Sequence, residues 1–222
     1  MAIDFNQAEE QRERAHGPVP AGSRVLLEME IMKPSNESQQ MPFVAVSAKK
    51  LYMLWVELRV VSGTYEGVKW RENWLLPEGQ QRVQLTQGQK TGCRISFSRM
   101  RAIIEAARRI APKDTSPQAA SRRNINSWLD MNGMRFPARV GIADDGREYN
   151  GRIYYDNTLA AVVTPDKEEY DALMHGGEFI NPDGSVVGKN APAQSQPPMA
   201  DYDDYGYGGA PFPSEAPSDE PF

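Results

Sequence analysis

Runs in which apolar and polar residues alternate recur along this chain, and their order restricts what it can fold into. Three such runs, at residues 24–31, 51–61 and 68–76, come first. Two more, at 134–142 and 152–163, follow after a long gap. Alternation with a period of two is typical of strands that bury one face and expose the other. The chain therefore predicts a mainly β protein with five strands.

The gap between the third run and the fourth is predicted to be helical. Apolar residues fall at helical spacing over 98–111, where Pro112 ends the run, and a second helix is predicted over 116–131. Three strands, a helical insertion and two further strands is the order of the five-stranded oligonucleotide/oligosaccharide-binding barrel, the OB fold. We therefore expect an OB-fold barrel in a domain at 20–188, with its helical insertion, at about 98–132, between strands three and four.

The two ends of the chain differ from this body. Residues 1–19 lack an apolar stripe and are predicted to form an N-terminal arm. Residues 189–222 are rich in Pro, Gly, Ser and acidic side chains, so they are predicted to form a disordered acidic tail. The segment 191–222 holds six acidic residues and no Lys or Arg, so the total charge of −5 hides a remainder with a net charge of +1. A charge this small neither requires nor excludes a nucleic-acid ligand.

The acidic tail finishes with Ser218, Asp219, Glu220, Pro221 and Phe222. This ending places an aromatic ring beside a free carboxylate, which a partner could hold with an apolar slot and one or two Arg or Lys side chains. The other interpretation is an inert solubilising tail. A globular body followed by such a linker and tip resembles the single-stranded DNA-binding proteins of bacteria and their phages, with Asp219, Pro221 and Phe222 carrying the resemblance. The resemblance implies that this tip recruits replication and repair proteins, and Glu220, where the bacterial pattern usually has an apolar residue, is predicted to bind the partner together with the other three residues.

The body itself resembles, in three places, a small phage-encoded family of OB-like single-stranded DNA-binding proteins. The shared features are the N-terminal residues 1–6, a Gly-x-Tyr-x-Gly hairpin at 63–67 and a Tyr-Asn-Gly segment at 149–151. The resemblance extends over 1–6 and 20–163. It implies an OB-like fold and a role in phage DNA replication, recombination or repair.

Binding of single strands without sequence preference needs a cationic path for the phosphates and exposed aromatic rings for the bases. Trp55 falls on the polar face of its run, so it is the tryptophan least easily assigned to the core, whereas Trp70 and Trp74 are predicted core residues. Taken singly, each Lys or Arg is more often an ordinary solvated residue. Together with Trp55, the residues predicted to contact nucleic acid are Lys49, Lys50, Arg59, Lys69, Arg71, Arg135, Arg139, Arg147, Tyr149 and Arg152.

Basic residues are also concentrated in the helical insertion. Residues 90–123 contain nine Lys and Arg residues against two acidic ones. This segment could extend the phosphate path, or it could bind the acidic tail when DNA is absent. The second possibility predicts that DNA displaces the tail from the body.

Residues suited to catalysis or metal binding form no recognisable pattern in the sequence. His16 and His175 are far apart in the chain and Cys93 is the one cysteine, so no metal or other cofactor is expected. Residues 88–91 resemble the end of a phosphate-binding loop, but Gln replaces Gly at the two positions where that loop needs it. We therefore expect a protein that is not an enzyme.

The expected location is the cytoplasm, or the host cytoplasm if the chain is phage-encoded. A single cysteine, an N-terminus without a signal-peptide pattern and the lack of an apolar run of about 18 residues favour this location and predict no membrane partner. RNA stays open as a ligand beside DNA, because stacking on Trp55 does not distinguish the sugars. A homo-oligomer is also compatible with the sequence.

The sequence thus favours a non-enzymatic protein that coats and protects exposed DNA single strands and recruits partner proteins through its tip. An alternative is a protein-interaction adaptor that competes for the host pockets that recognise the tails of single-stranded DNA-binding proteins. A nuclease or recombinase subunit would need carboxylates clustered around a metal, and the sequence offers no such arrangement.

Overall fold

A computed structural model describes residues 18–143, 147–149, 152–154, 156–175 and 178–187. Nearly all of the predicted arm at 1–19, and the whole of the predicted tail at 189–222, lie outside these described residues. The described part is mainly β, with antiparallel sheets and several helices. The mainly β class predicted from the alternation is therefore confirmed.

The bounds of the elements are as follows. Within the described residues the strands are β1 (Arg24–Met32), β2 (Val44–Val46), β3 (Tyr52–Val60), β4 (Lys69–Leu75), β5 (Arg135–Ile142), β6 (Arg147–Tyr149), β7 (Arg152–Tyr154), β8 (Asn157–Val162), β9 (Phe179–Ile180) and β10 (Val186–Val187). The helices are α1 (Gln87–Ala107), α2 (Pro117–Arg123) and α3 (Tyr170–Met174), with 3₁₀ segments at Glu78–Gln80 and Trp128–Met131.

One antiparallel sheet contains most of the strands. Its strands lie in the order β4, β3, β1, β5 and β8, and the short β2 shares an edge of β3 with β1. β6 pairs with β7 in a separate hairpin, and β9 pairs with β10 in another. The core lies between the apolar face of this sheet and one side of α1, where Trp74, Met100, Ile103 and Phe136 are buried.

The alternation predicted the strand faces correctly. β1, β3, β4 and β5 correspond to the first four predicted strands. On β3, Leu54 and Val56 are fully buried, whereas Trp55 and Arg59 on the opposite face are not. The turn from β3 into β4 includes Gly63, whose φ of 88° is a conformation that residues with a Cβ atom rarely adopt.

The fifth predicted strand, at 152–163, is divided in the structure. Its first part is β7, which pairs with β6 in a segment that the sequence analysis left without a strand. Its second part is β8, which pairs with β5. The short elements β2, α3, β9 and β10 were also not predicted, because two to five residues are too few for a periodic pattern.

The helical insertion differs from the prediction in its boundaries. α1 begins at Gln87, well before the predicted start at Ser98, because Thr86 and Gln89 form a capping box. In it, Gln89 N donates to Thr86 Oγ1 at 3.3 Å and Thr86 N donates to Gln89 Oε1 at 2.8 Å. The second predicted helix, at 116–131, is two pieces, since the chain is extended after α2 and a second capping box starts the following 3₁₀ segment.

The two end strands of the sheet are joined through one carboxylate. Glu72 on β4 accepts a hydrogen bond from Leu159 N on β8 at 2.5 Å and from Arg99 Nη1 on α1 at 3.2 Å. The indole N–H groups of Trp70 and Trp74 donate to the same carboxylate, at 3.2 and 2.7 Å. No backbone pairing joins β4 to β8 in the described part, and no closed barrel is found there. Glu72 therefore links the open side of the sheet to α1.

Candidate nucleic-acid interface

The outer face of the sheet brings several predicted contact residues together. Alternate side chains of adjacent strands point away from the core, so they form a common surface. Arg59 of β3 is the register partner of Lys69 on β4 and of Glu28 on β1. On its other side, Glu28 is the register partner of Arg135 on β5. Three predicted cations from distant parts of the sequence therefore share one surface.

Glu57 of β3 holds two of the predicted cations. Its Oε1 atom lies 3.2 Å from Lys69 Nζ, and its Oε2 atom lies 3.1 Å from Arg71 Nε. The Glu57 side chain is 15% exposed, whereas the side chains of Lys69 and Arg71 are 41% and 53% exposed. The carboxylate thus lies beneath the cations, which face solvent.

Glu28 of β1 makes the same arrangement with two arginines. Its Oε1 atom lies 2.5 Å from Arg59 Nη2, and its Oε2 atom lies 2.8 Å from Arg135 Nε. Hydrogen bonds from Arg135 and then from Arg59 hold the pKa of Glu28 below its ordinary value, because they stabilise the ionised carboxylate. Glu28 is therefore a fixed negative charge at neutral pH.

We call these six residues the charged face: Glu28, Glu57, Arg59, Lys69, Arg71 and Arg135. Four cations against two carboxylates give the charged face a net charge of +2. Exposed ion pairs contribute little to stability, roughly 0 to 1 kcal/mol each. Their main effect here is to hold four cationic groups in a defined arrangement with an excess of positive charge.

Trp55 lies next to the charged face on β3. Its indole is partly exposed, whereas Trp70 and Trp74 are buried, as predicted for core residues. Its register partners are Met32 on β1 and Asn73 on β4. A partly exposed indole beside cations is the combination that stacking and phosphate binding require.

Three other predicted residues lie around this surface. Lys49 and Lys50 are exposed in the turn that precedes β3, where Lys50 has a positive φ of 58°. Arg139 is exposed on β5, on the same face as Arg135, and its register partner is Arg24 of β1. Arg139 therefore extends the outer face along β5, and the two lysines lie at the end where β3 begins.

Arg147, Tyr149 and Arg152 lie on the hairpin of β6 and β7. The backbone register pairs Tyr149 with Arg152, so these residues face each other across the hairpin. Their side chains are outside the described part of the chain, as is the predicted partner-binding tip at 219–222. Both assignments stay predictions.

Two arginines of the helical insertion are bound within the insertion itself. Arg108 Nη1 donates to the carbonyl oxygens of Arg122 and Asn124, at 2.6 and 2.8 Å. Arg123 Nε donates at 2.7 Å to Glu105, a buried carboxylate. These guanidinium groups bind α1, α2 and the residues that join them, so they stabilise the insertion, and the possibility that its exposed cations extend the phosphate path stays a prediction.

An open groove of about 580 Å³ lies between α1 and β8. Ile95 and Ala102 of α1 and Val162 of β8 contribute its apolar lining, and Arg94 and Arg99 also line it. Ile95 is 50% exposed. The sequence analysis did not identify this surface, because Ile95 precedes the segment that was predicted to be helical.

Glu28 also belongs to the outer face, although it was not among the predicted site residues. Glu28 lies at a polar position of the first alternating run, and this position indicates the outer face of the strand. Its partners were not predictable from that run, because strand register brings it to Arg59 and Arg135. A contact between residues so far apart in the chain leaves no pattern in the local sequence.

The described residues offer neither a metal cluster nor a membrane-spanning helix. They contain no group of three or more His, Cys, Asp or Glu side chains that could hold a metal ion, and none of their helices is both long and apolar enough to span a membrane. The geometry defines a mainly antiparallel β protein with a cationic outer sheet face. Comparisons with protein-family models, curated proteins and solved structures find no match to this chain.

Proposed function

We propose that this protein binds single-stranded DNA across the outer face of β3 and β4 and catalyses no reaction. It coats and protects exposed strands during phage DNA replication, recombination or repair. The observation that carries the proposal is the charged face, an excess of positioned cations beside the partly exposed Trp55.

The strand order supports an OB-like topology for the body. If β1, β3, β4, β5 and β8 are numbered one to five, strand one pairs with two and four, two pairs with three, and four pairs with five. α1 lies between strands three and four in the chain, as the helix of an OB fold does. OB folds bind oligonucleotides on the face of strands two and three, which corresponds here to β3 and β4.

The proposed binding combines two kinds of interaction. The cations of the charged face attract phosphates and release the counterions of the DNA, so affinity should fall steeply with salt. A base that stacks on Trp55 contributes about 1–3 kcal/mol with little regard to its identity. Binding should therefore depend weakly on sequence, and RNA is a ligand to be compared with DNA.

In the same proposal, the acidic segment 201–222 recruits replication or recombination proteins. It contains six carboxylates and no basic residue, together with Pro221 and Phe222. A partner pocket with an apolar slot and an Arg or Lys rim would recognise that combination.

Fluorescence anisotropy of a labelled oligothymidine, titrated with full-length protein at low and high salt, tests the proposal. The double variant Lys69→Gln/Arg71→Gln should weaken binding about tenfold or more and reduce the salt slope by about 1 to 2. Lys167→Gln is the matched control, because Lys167 is an exposed lysine paired with Asp166 outside the charged face. No binding at low salt, or equal loss in the control, would reject the proposal.

A second candidate function is the protein-interaction adaptor, which would compete for host pockets that recognise the tails of single-stranded DNA-binding proteins. The groove between α1 and β8 favours this candidate, because an exposed apolar surface beside arginines suits a protein ligand. A folded full-length protein that binds no oligonucleotide at low salt would favour the adaptor.

A further inference from the structure

We infer that Glu28 and Glu57 limit the affinity of the charged face for DNA, because they compete with phosphate groups for its four cations. This inference rests on the proposed DNA binding and concerns what sets its strength.

The first step is the geometry of the carboxylates. Each uses both oxygens, and each oxygen has a different cationic partner: Glu28 binds Arg59 and Arg135, and Glu57 binds Lys69 and Arg71. The contacts lie between 2.5 and 3.2 Å. A phosphate that approaches any of the four cations therefore meets a group that already has an anionic partner.

The second step is the difference in exposure. The side chains of Glu28 and Glu57 are 19% and 15% exposed, whereas that of Arg135 is 61% exposed. A phosphate can therefore reach the cations from solvent while the carboxylates stay beneath them. When DNA binds, the two carboxylates would therefore stay beneath the cations and close to the phosphates. Repulsion between the carboxylates and the phosphates lowers the affinity for DNA.

Removal of the negative charges of Glu28 and Glu57 should raise the affinity for DNA. A Glu→Gln change keeps the shape of the side chain and one acceptor oxygen, so one cation keeps its partner while the amide NH2 group releases the other toward solvent. The net charge of the charged face rises from +2 to +3 for one change and to +4 for both. We expect oligothymidine to bind about three- to tenfold tighter to Glu28→Gln and to Glu57→Gln at low salt, and about ten- to a hundredfold tighter to the double variant.

Glu30→Gln is the matched control for net charge. Glu30 is exposed on β1, it lies on the same face as Glu28, and it is the register partner of Glu57. The change removes one negative charge from the outer face without touching either carboxylate of the charged face. Glu30 lines the same groove as Glu57, Arg59 and Lys69, but its exposed charge is more strongly screened by solvent and salt. We therefore expect Glu30→Gln to tighten binding less than Glu28→Gln or Glu57→Gln does.

The experiment measures anisotropy with the full-length wild type, the two single variants, the double variant and the control, at low and high salt. Thermal unfolding of each protein shows that it is folded at the temperature of the titration. Binding that is tighter for the variants of Glu28 and Glu57 than for Glu30→Gln and the wild type supports the inference.

Two results would overturn it. If the wild type binds and the double variant binds no tighter, or if Glu30→Gln tightens binding equally, the carboxylates do not act through the charged face and the proposed DNA binding still stands. If neither the wild type nor the double variant binds at low salt, both the inference and the proposed function are wrong.

Discussion

Glu72 gives the sharpest prediction about stability, because its carboxylate accepts four hydrogen bonds at the junction of β4, β8 and α1. Glu72→Ala leaves the Trp74 indole N–H and the Leu159 amide without their acceptor, and both residues are at most 1% exposed. Each buried donor left unpaired costs about 1–3 kcal/mol. The lost hydrogen bonds of Trp70 and Arg99 are not counted in this loss of stability, because both groups lie closer to solvent. We therefore expect a loss of about 4 kcal/mol, a large part of the roughly 5–15 kcal/mol by which such domains are stable.

The assay is urea unfolding of full-length protein, followed by thermal unfolding. A loss of about 4 kcal/mol corresponds to a fall of about 8–16 °C in the unfolding midpoint for a domain of this size. Glu72→Gln should lose less stability than Glu72→Ala, since the amide oxygen still accepts a hydrogen bond. It should still be less stable than the wild type, because the amide NH2 group is a second donor facing the indole N–H groups. Glu30→Ala, an exposed change on the sheet, should stay within about 0.5 kcal/mol. A loss below about 1 kcal/mol for Glu72→Ala would refute the view that this carboxylate holds the open side of the sheet.

Three further predictions concern single residues. Trp55→Ala should weaken oligothymidine binding by about 1–3 kcal/mol, roughly five- to 150-fold, in anisotropy titrations, while Trp55→Phe keeps most of the affinity. Thr86→Ala should lower stability by about 1 kcal/mol in urea unfolding, because it removes the capping box with Gln89. The lowered pKa of Glu28 means that its ionised form stabilises the fold above the ordinary pKa of 4.5, and that this contribution disappears as the pH falls through the lower folded value. The stability difference between wild type and Glu28→Gln should therefore shrink as the pH falls below 4.5, and a difference that stays constant there would contradict the assignment.

The faces of the long strands could be predicted from the sequence, because the alternation that defines them is a local pattern. The two sides of β3 follow from a period of two, which depends on neighbouring residues alone. The start of α1 was missed because the segment before Ser98 is polar and contains glycine. Gly92 in that segment has a tertiary role: a Cβ atom there would lie 3.0 Å from Leu75 Cδ1, so the glycine lets α1 approach β4 closely.

The cations of the candidate site were predicted from the sequence, but the ion pairs that join them were not. Arg59, Lys69, Arg71 and Arg135 were all assigned from alternation, since each lies on the polar side of a run. Their pairing through Glu28 and Glu57 depends on strand register, and a period of two does not determine which residues of two strands face each other. Glu28 and Arg135 are 107 positions apart in the chain, so no local pattern could join them.

The arginines of this chain fall into two groups that composition does not separate. In the helical insertion, Arg123 is 16% exposed and donates to the buried Glu105 and to backbone carbonyls, so its charge is largely compensated within the fold. On the sheet, Arg135 is 61% exposed above a carboxylate that it shares with Arg59. A polyanion gains most where cations are exposed and incompletely neutralised. In the proposed function the sheet therefore offers exposed cations for phosphates, whereas the insertion combines compensated arginines such as Arg123 with exposed ones such as Arg101, which is 54% exposed.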